Sequence, residues 1–259
     1  MAEYGVINVS VSNHYSKPTS VSDVVTQGLL GEKVEIIDTQ ETHIQIRQQD
    51  DYLSWIPEDQ LVVGMEPGGD THLLRSHFVP IFSSPDLDSP RTRDAVIGSQ
   101  LQIVNNQGDW CQIILPDGIC GWVEGNHFAD PLQFSSESIT SLAQEFLGYQ
   151  YFWGGRTPKG FDCSGFVQTV FGLHGVRLPR DAWQQQQYHQ VSTNFLDARP
   201  GDLLFFSRQS SKVIHVAISL GEQKYIHASG WVRLDSFNEE DQDFTRQRSA
   251  EFVSVNRYS

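Results

Sequence analysis

One cysteine in this chain stands where a thiol could attack. Cys163 follows a Gly/Pro-rich stretch, Tyr151-Phe152-Trp153-Gly154-Gly155-Arg156-Thr157-Pro158-Lys159-Gly160-Phe161-Asp162. It opens a segment in which Phe166, Val167, Val170 and Phe171 share one helical face. The spacing predicts a helix from Asp162 to about Leu173, with Asp162 as the N-cap and its carboxylate free for other work. At a helix start, unpaired N–H groups and the positive dipole end favour a thiolate, the attacking species in acyl transfer.

A thiol nucleophile needs a proton acceptor, and histidine is the side chain suited to that near neutral pH. His215 and His227 fall in two strand-like runs, Val213-Ile214-His215-Val216-Ala217-Ile218-Ser219-Leu220 and Lys224-Tyr225-Ile226-His227-Ala228. Their separation suits a hairpin that sets the rings side by side, with His215 on the face opposite Ile214 and Val216. One ring would serve the sulfur, and the other would orient it through the far nitrogen.

The surrounding pattern is that of an α+β domain. Apolar residues at 139, 142, 143 and 146 predict a helix over 136–147, and Asp202-Leu203-Leu204-Phe205-Phe206 adds a further strand. Ahead of this lie two copies of one module. Leu30 to Leu61 aligns without gaps on Ile97 to Phe128, with Gly31/Gly98, Ile36/Ile103, Gln45/Gln112, Ile46/Ile113 and Trp55/Trp122 identical. Strands of about five residues broken by turns at Asn105-Asn106-Gln107-Gly108-Asp109 and Pro116-Asp117-Gly118 suggest small barrels. A turn-rich linker, Met65-Glu66-Pro67-Gly68-Gly69-Asp70, separates the copies, and a second junction falls near Asp130-Pro131.

These motifs resemble known families. The repeats are similar to bacterial SH3-like domains. Residues from about 136 to 255 resemble the NlpC/P60 family of papain-like cysteine peptidases. The resemblance rests on Tyr-x-Trp-Gly-Gly at 151–155, Phe-Asp-Cys-Ser-Gly-Phe-Val-Gln at 161–168, Leu-Pro-Arg-Asp at 178–181, Pro-Gly-Asp-Leu-Leu-Phe-Phe at 200–206, His-Val-Ala-Ile at 215–218 and Tyr-Ile-His-Ala-Ser at 225–229. The implied architecture is multidomain: two small SH3-like β-barrels, 1–66 and 67–131, then an α+β papain-like (NlpC/P60) catalytic domain over 132–259.

The resemblance also implies roles. Cys163 matches the nucleophile, His215 the base, His227 the residue that fixes the imidazole, and Tyr151 an oxyanion partner beside the backbone N–H of Cys163. The layout looks like γ-D-glutamyl-L-diamino acid endopeptidases, which act on murein peptides with a free N-terminal L-alanine. In that subgroup Asp162, Ser164 and Asp181 match pocket residues, and Tyr52 of the first module matches a wall residue. Ala182 departs from the serine common among close relatives. An amine recognised beside the nucleophile suits a deprotonated carboxylate such as Asp162. The alternatives are an NlpC/P60-type amidase or acyltransferase using the same thiolate, and a non-catalytic wall-binding protein.

Bulk properties narrow the partners. A net charge of −14 disfavours nucleic acid and anionic membranes as partners. No cofactor or metal site is expected, since Cys111, Cys120 and Cys163 lack zinc spacing. Cys111 and Cys120 read as small apolar strand residues, with a cross-strand disulfide as the lesser option. No secretory signal is visible at the N-terminus, so a cytoplasmic location is expected. Gln184–Gln187 reads as a solvated helix face and Glu239-Glu240-Asp241 as a loop. His14, His43, His72, His77, His127, His174 and His189 read as surface residues.

Overall fold

The computed structural model describes residues 3–64, 70–187, 189–208 and 212–258. It divides into two compact units, Met1–Pro131 and Leu132–Ser259. The expected linker at 65–69 lies outside the described residues.

The first unit contains two antiparallel sheets. One runs in the order Val24–Leu29, Val11–Tyr15, Leu53–Pro57, His43–Arg47, Lys33–Gln40, Glu3–Ile7, Leu61–Val63. The other runs Arg91–Val96, Phe78–Phe82, Cys120–Glu124, Trp110–Ile114, Gln100–Gln107, Thr71–Leu73. The repeat seen in the sequence holds at the level of register. Ile36 pairs with Ile46 as Ile103 pairs with Ile113, each just before a bulge, and Tyr15 meets Trp55 as Phe82 meets Trp122. Among the described residues no ladder joins the end strands of either sheet, so backbone hydrogen bonding does not close them into barrels.

The two cores differ in chemistry. Val79, Ile81 and Leu115 pack an apolar core in the second sheet, with Gly121 against Ile81. The same four positions of the first copy hold Ser12, His14, Gln48 and Ser54, all buried. His14 Nδ1 lies 3.3 Å from Gln48 Oε1 and 3.2 Å from Ser54 Oγ. His43 is likewise buried, 3.1 Å from Ser20 Oγ and 3.2 Å from Thr42 Oγ1. In the second unit His174 is buried between Ser138 Oγ and the Val170 carbonyl. These three histidines therefore correct the surface expectation. Most of their partners come from distant positions in the chain, which a local reading does not bring together. Cys120 is exposed at a strand start and pairs with Ile114, whereas the buried Cys111 pairs with Val123; both are free thiols, so no cross-strand disulfide forms.

The second unit packs its buried helix against a six-stranded sheet. The order is Gln190–Ser192, Phe252–Asn256, Leu203–Phe206, His215–Gly221, Lys224–Ser229, Trp231–Ser236. The helix Ser136–Glu145 begins at Ser135, whose hydroxyl accepts from Ser138 N–H at 3.1 Å. The helix Cys163–Gly172 is almost wholly buried and packs across the strands His215–Gly221 and Lys224–Ser229. Edge-to-face contacts among Phe146, Phe161 and Phe166, with centroids 5.1–6.2 Å apart, hold its first turn in place.

Candidate active site

The loop before Cys163 folds back onto the helix it feeds. Gly154 has φ +80°, which turns its N–H onto Asp162 Oδ2 at 2.9 Å. Asp162 N–H donates to the Gly155 carbonyl at 2.9 Å, and Oδ1 caps the helix by accepting Gly165 N–H at 2.7 Å. Gly165 has to be glycine, because a Cβ there would collide with the Gly155 carbonyl. The carboxylate is not free, however. Arg180, 1% exposed, grips it with Nη2 at 2.6 Å and Nη1 at 3.1 Å, and Nη1 also donates to Ser164 Oγ at 2.9 Å. Asp162 is thus a buried, charge-compensated cap, and an incoming ammonium would have to share it with a guanidinium.

The sulfur sits in a site that favours the neutral thiol. Burial, with the adjacent Asp162 carboxylate as a smaller cause, pushes the Cys163 thiol up to about 12. The amides of Val216 and Ser164 pull the other way, as does Arg180, without overcoming desolvation. The expected lowering by the helix start is therefore outweighed in the closed resting site. His215 is held well below its ordinary value by burial and then by the neighbouring His227. Burial thus drives both groups toward their neutral forms, thiol and imidazole.

His215 and His227 meet as their spacing suggested. His215 Nε2 lies 2.7 Å from His227 Nδ1, with the rings nearly perpendicular. The Val216 amide hydrogen-bonds the Cys163 sulfur, which places that sulfur beside the backbone of the histidine strand. His227 is fully buried, and its far nitrogen, Nε2, lies 3.2 Å from Asp235 Oδ2. The two atoms are close without forming a well-aligned hydrogen bond, so the contact is an electrostatic one between the ring edge and the carboxylate. Burial holds His227 below its ordinary value, with Asp235 pulling the other way, and His227 in turn holds the Asp235 carboxyl below its ordinary range.

The remaining expected residues fall in different places. Tyr151 bridges to Phe161 and donates its N–H to Gly230, and burial, then the nearby Cys163 and Asp162, raise its phenol well above the usual range. Ser164 is buried and donates to Asp162 Oδ1 at 3.3 Å. Asp181 is half-buried; its Oδ2 accepts from Trp183 Nε1 at 3.2 Å, and no cation pairs with it among the described residues. Tyr52 lies in the first unit, in the turn before Leu53–Pro57. The glutamine run departs from its expected solvated face, since Gln185 is fully buried and donates to the carbonyls of Ser164 and Pro179.

Two participants were missed in the sequence. Arg180 was in view within Leu-Pro-Arg-Asp, but no local rule marks it as the partner of Asp162. Asp235 becomes visible only through pairing: it stands opposite Tyr225, two residues beyond Arg233, which stands opposite His227. Alternation on that hairpin puts Asp235 on the same face as His227.

Residues 148–248 match the model of the NlpC/P60 family. Residues 14–61 and 81–128 each match that of the bacterial dipeptidyl-peptidase Sh3 domain. The chain is 26% identical over 230 residues to the gamma-D-glutamyl-L-lysine dipeptidyl-peptidase of Bacillus cereus, covering 81% of this chain and 68% of that protein. It is 26% identical over 253 residues to the dipeptidyl-peptidase 6 of Lysinibacillus sphaericus, covering 86% and 87%. A crystal structure of an NlpC/P60 family protein from Bacillus cereus superposes with a TM-score of 0.85 at 21% identity, covering 98% of this chain and 99% of that one. That last likeness is one of fold.

Proposed function

Because the chain carries an NlpC/P60 family domain behind two bacterial SH3 domains, we propose that it is a cysteine endopeptidase of murein peptides. It would cleave the γ-D-glutamyl–diamino acid bond of peptides with a free N-terminal L-alanine, releasing L-Ala-γ-D-Glu in the cytoplasm. The observation that carries this reading is the array of a buried thiol and two hydrogen-bonded imidazoles, with carboxylates next to it.

In this reading the Cys163 sulfur attacks the γ-carbonyl carbon as His215 takes the thiol proton. The developing oxyanion is met by the Cys163 backbone N–H and the Tyr151 hydroxyl. His215 then protonates the leaving amine of the diamino acid, leaving a thioester that water hydrolyses with the same base. Papain-like packing, with the nucleophile helix against the histidine strands, suits this sequence. Asp181 is the carboxylate with charge to spare for the substrate ammonium, since Asp162 is already spent on Arg180.

The test compares L-Ala-γ-D-Glu-diamino acid tripeptides, free and N-acetylated, by mass spectrometry of the products. Release of L-Ala-γ-D-Glu from the free form alone supports the reading. Equal rates on both would remove the amine requirement, and no cleavage of either would remove the activity.

A further inference from the structure

We propose that Asp235 is a positioning residue that fixes the tautomer of His227 and, through it, the nitrogen with which His215 receives the thiol proton. This inference rests on the thiol-catalysis reading above, though not on the identity of the peptide.

The argument is one of proton placement. His227 Nε2 faces Asp235 Oδ2 at 3.2 Å and has no other polar partner among the described residues. A lone pair on Nε2 would confront a carboxylate lone pair in a buried setting, so Nε2 carries the proton. Nδ1 of His227 is then an acceptor, and the 2.7 Å contact requires His215 Nε2 to be the donor. His215 Nδ1 is left with its lone pair available, which is the state a proton acceptor for Cys163 needs. Reversing the first choice reverses all the others: a proton on His227 Nδ1 would force one onto His215 Nδ1 and block the base.

Asp235 is built to hold that role. It is 4% exposed, and both its oxygens are anchored. Arg233 approaches Oδ1 with Nε at 3.1 Å and donates from Nη2 to Oδ2 at 3.1 Å, while Thr245 Oγ1 donates to Oδ2 at 3.1 Å. These donors keep the carboxylate ionised and aimed, so His227 reads it as an acceptor. Arg233 is fixed in turn beneath the ring of Trp231, 5.4 Å from its centroid.

The decisive experiment is long-range 1H–15N correlation on the full-length protein near pH 7.5, paired with kinetics of Asp235→Asn. The wild type is expected to show protonated nitrogens at Nε2 of both His227 and His215. The near-isosteric amide of the variant can offer N–H to His227 Nε2 and invert both rings. In a Ser-His-Asp triad the same kind of change costs about 10,000-fold in rate through the wrong tautomer. Here kcat should fall at least about 100-fold with KM and melting temperature nearly unchanged, and Asp235→Glu should recover part of the loss. A wild-type proton on His227 Nδ1, or a variant kcat within a few-fold of wild type, overturns the proposal. The wild-type spectrum decides the matter even if the variant fails to fold. It also needs no substrate, so failure of the tripeptide assay bears on the peptide reading alone.

Discussion

His215 Nε2 and His227 Nδ1 stand 2.7 Å apart inside the sheet, on neighbouring strands whose rings meet edge to face. Two buried imidazoles at hydrogen-bond distance cannot both be protonated without a large cost, so the pair rests neutral.

That neutrality sets the pH behaviour of the thiol. With Cys163 pushed up by burial, its thiolate fraction rises as pH climbs toward its raised pKa. In a Cys120→Ser background, which removes the exposed thiol, iodoacetamide alkylation of Cys163 should quicken by up to about tenfold per pH unit between pH 7 and 9. A rate already level from pH 5 upward would mean a resting thiolate–imidazolium pair, and the neutral description would fall.

Stability should fall on the acid side. Both histidines have folded pKa values depressed below the unfolded value near 6.5, so the unfolded chain binds their protons first. The free energy of unfolding is therefore expected to fall as pH drops below about 6.5, each histidine adding a slope of up to about 1.4 kcal/mol per pH unit. Urea titrations at pH 7.5, 6.5 and 5.5 measure this, and His227→Gln should flatten the dependence.

Removing Arg180 would strand a buried carboxylate. Arg180→Met should cost about 3–5 kcal/mol, because Asp162 loses its counter-charge while remaining desolvated as the helix cap. Arg180→Lys should also lose much of this, since a point charge cannot supply the two-pronged grip. Chemical denaturation distinguishes the outcomes, and a change under about 1 kcal/mol for the methionine variant would show the pair to be dispensable.

The two aspartates should separate kinetically. Asp181→Asn is expected to raise KM about tenfold for the free-amine tripeptide, the loss of about one charge-assisted contact, with kcat nearly unchanged. An unchanged KM would move the amine site elsewhere.

A steric prediction concerns the helix start. Gly165→Ala places a methyl against the Gly155 carbonyl, backbone that the Gly154 turn and the Asp162 N–H hold in place. Overpacking of this kind costs about 1–3 kcal/mol and should also reduce turnover by shifting Cys163. A variant with wild-type stability and rate would show that the loop can yield.

Much of the site was legible in the linear chain because its signals are local. A cap, a glycine loop and a 3.6-residue period mark the helix that carries Cys163, and alternation on two short strands brings His215 and His227 together. The duplicated module was equally open to reading, since its spacing repeats residue for residue. What the tertiary structure decided was charge. Whether Cys163 rests as thiol or thiolate depends on how completely water is excluded from it, and whether Asp162 is free depends on Arg180 folding back from a separate segment. The polar core around His14 and the placing of Asp235 behind His227 are likewise products of packing between distant strands. Local sequence carries propensity and period, whereas desolvation and ion pairing belong to the assembled interior.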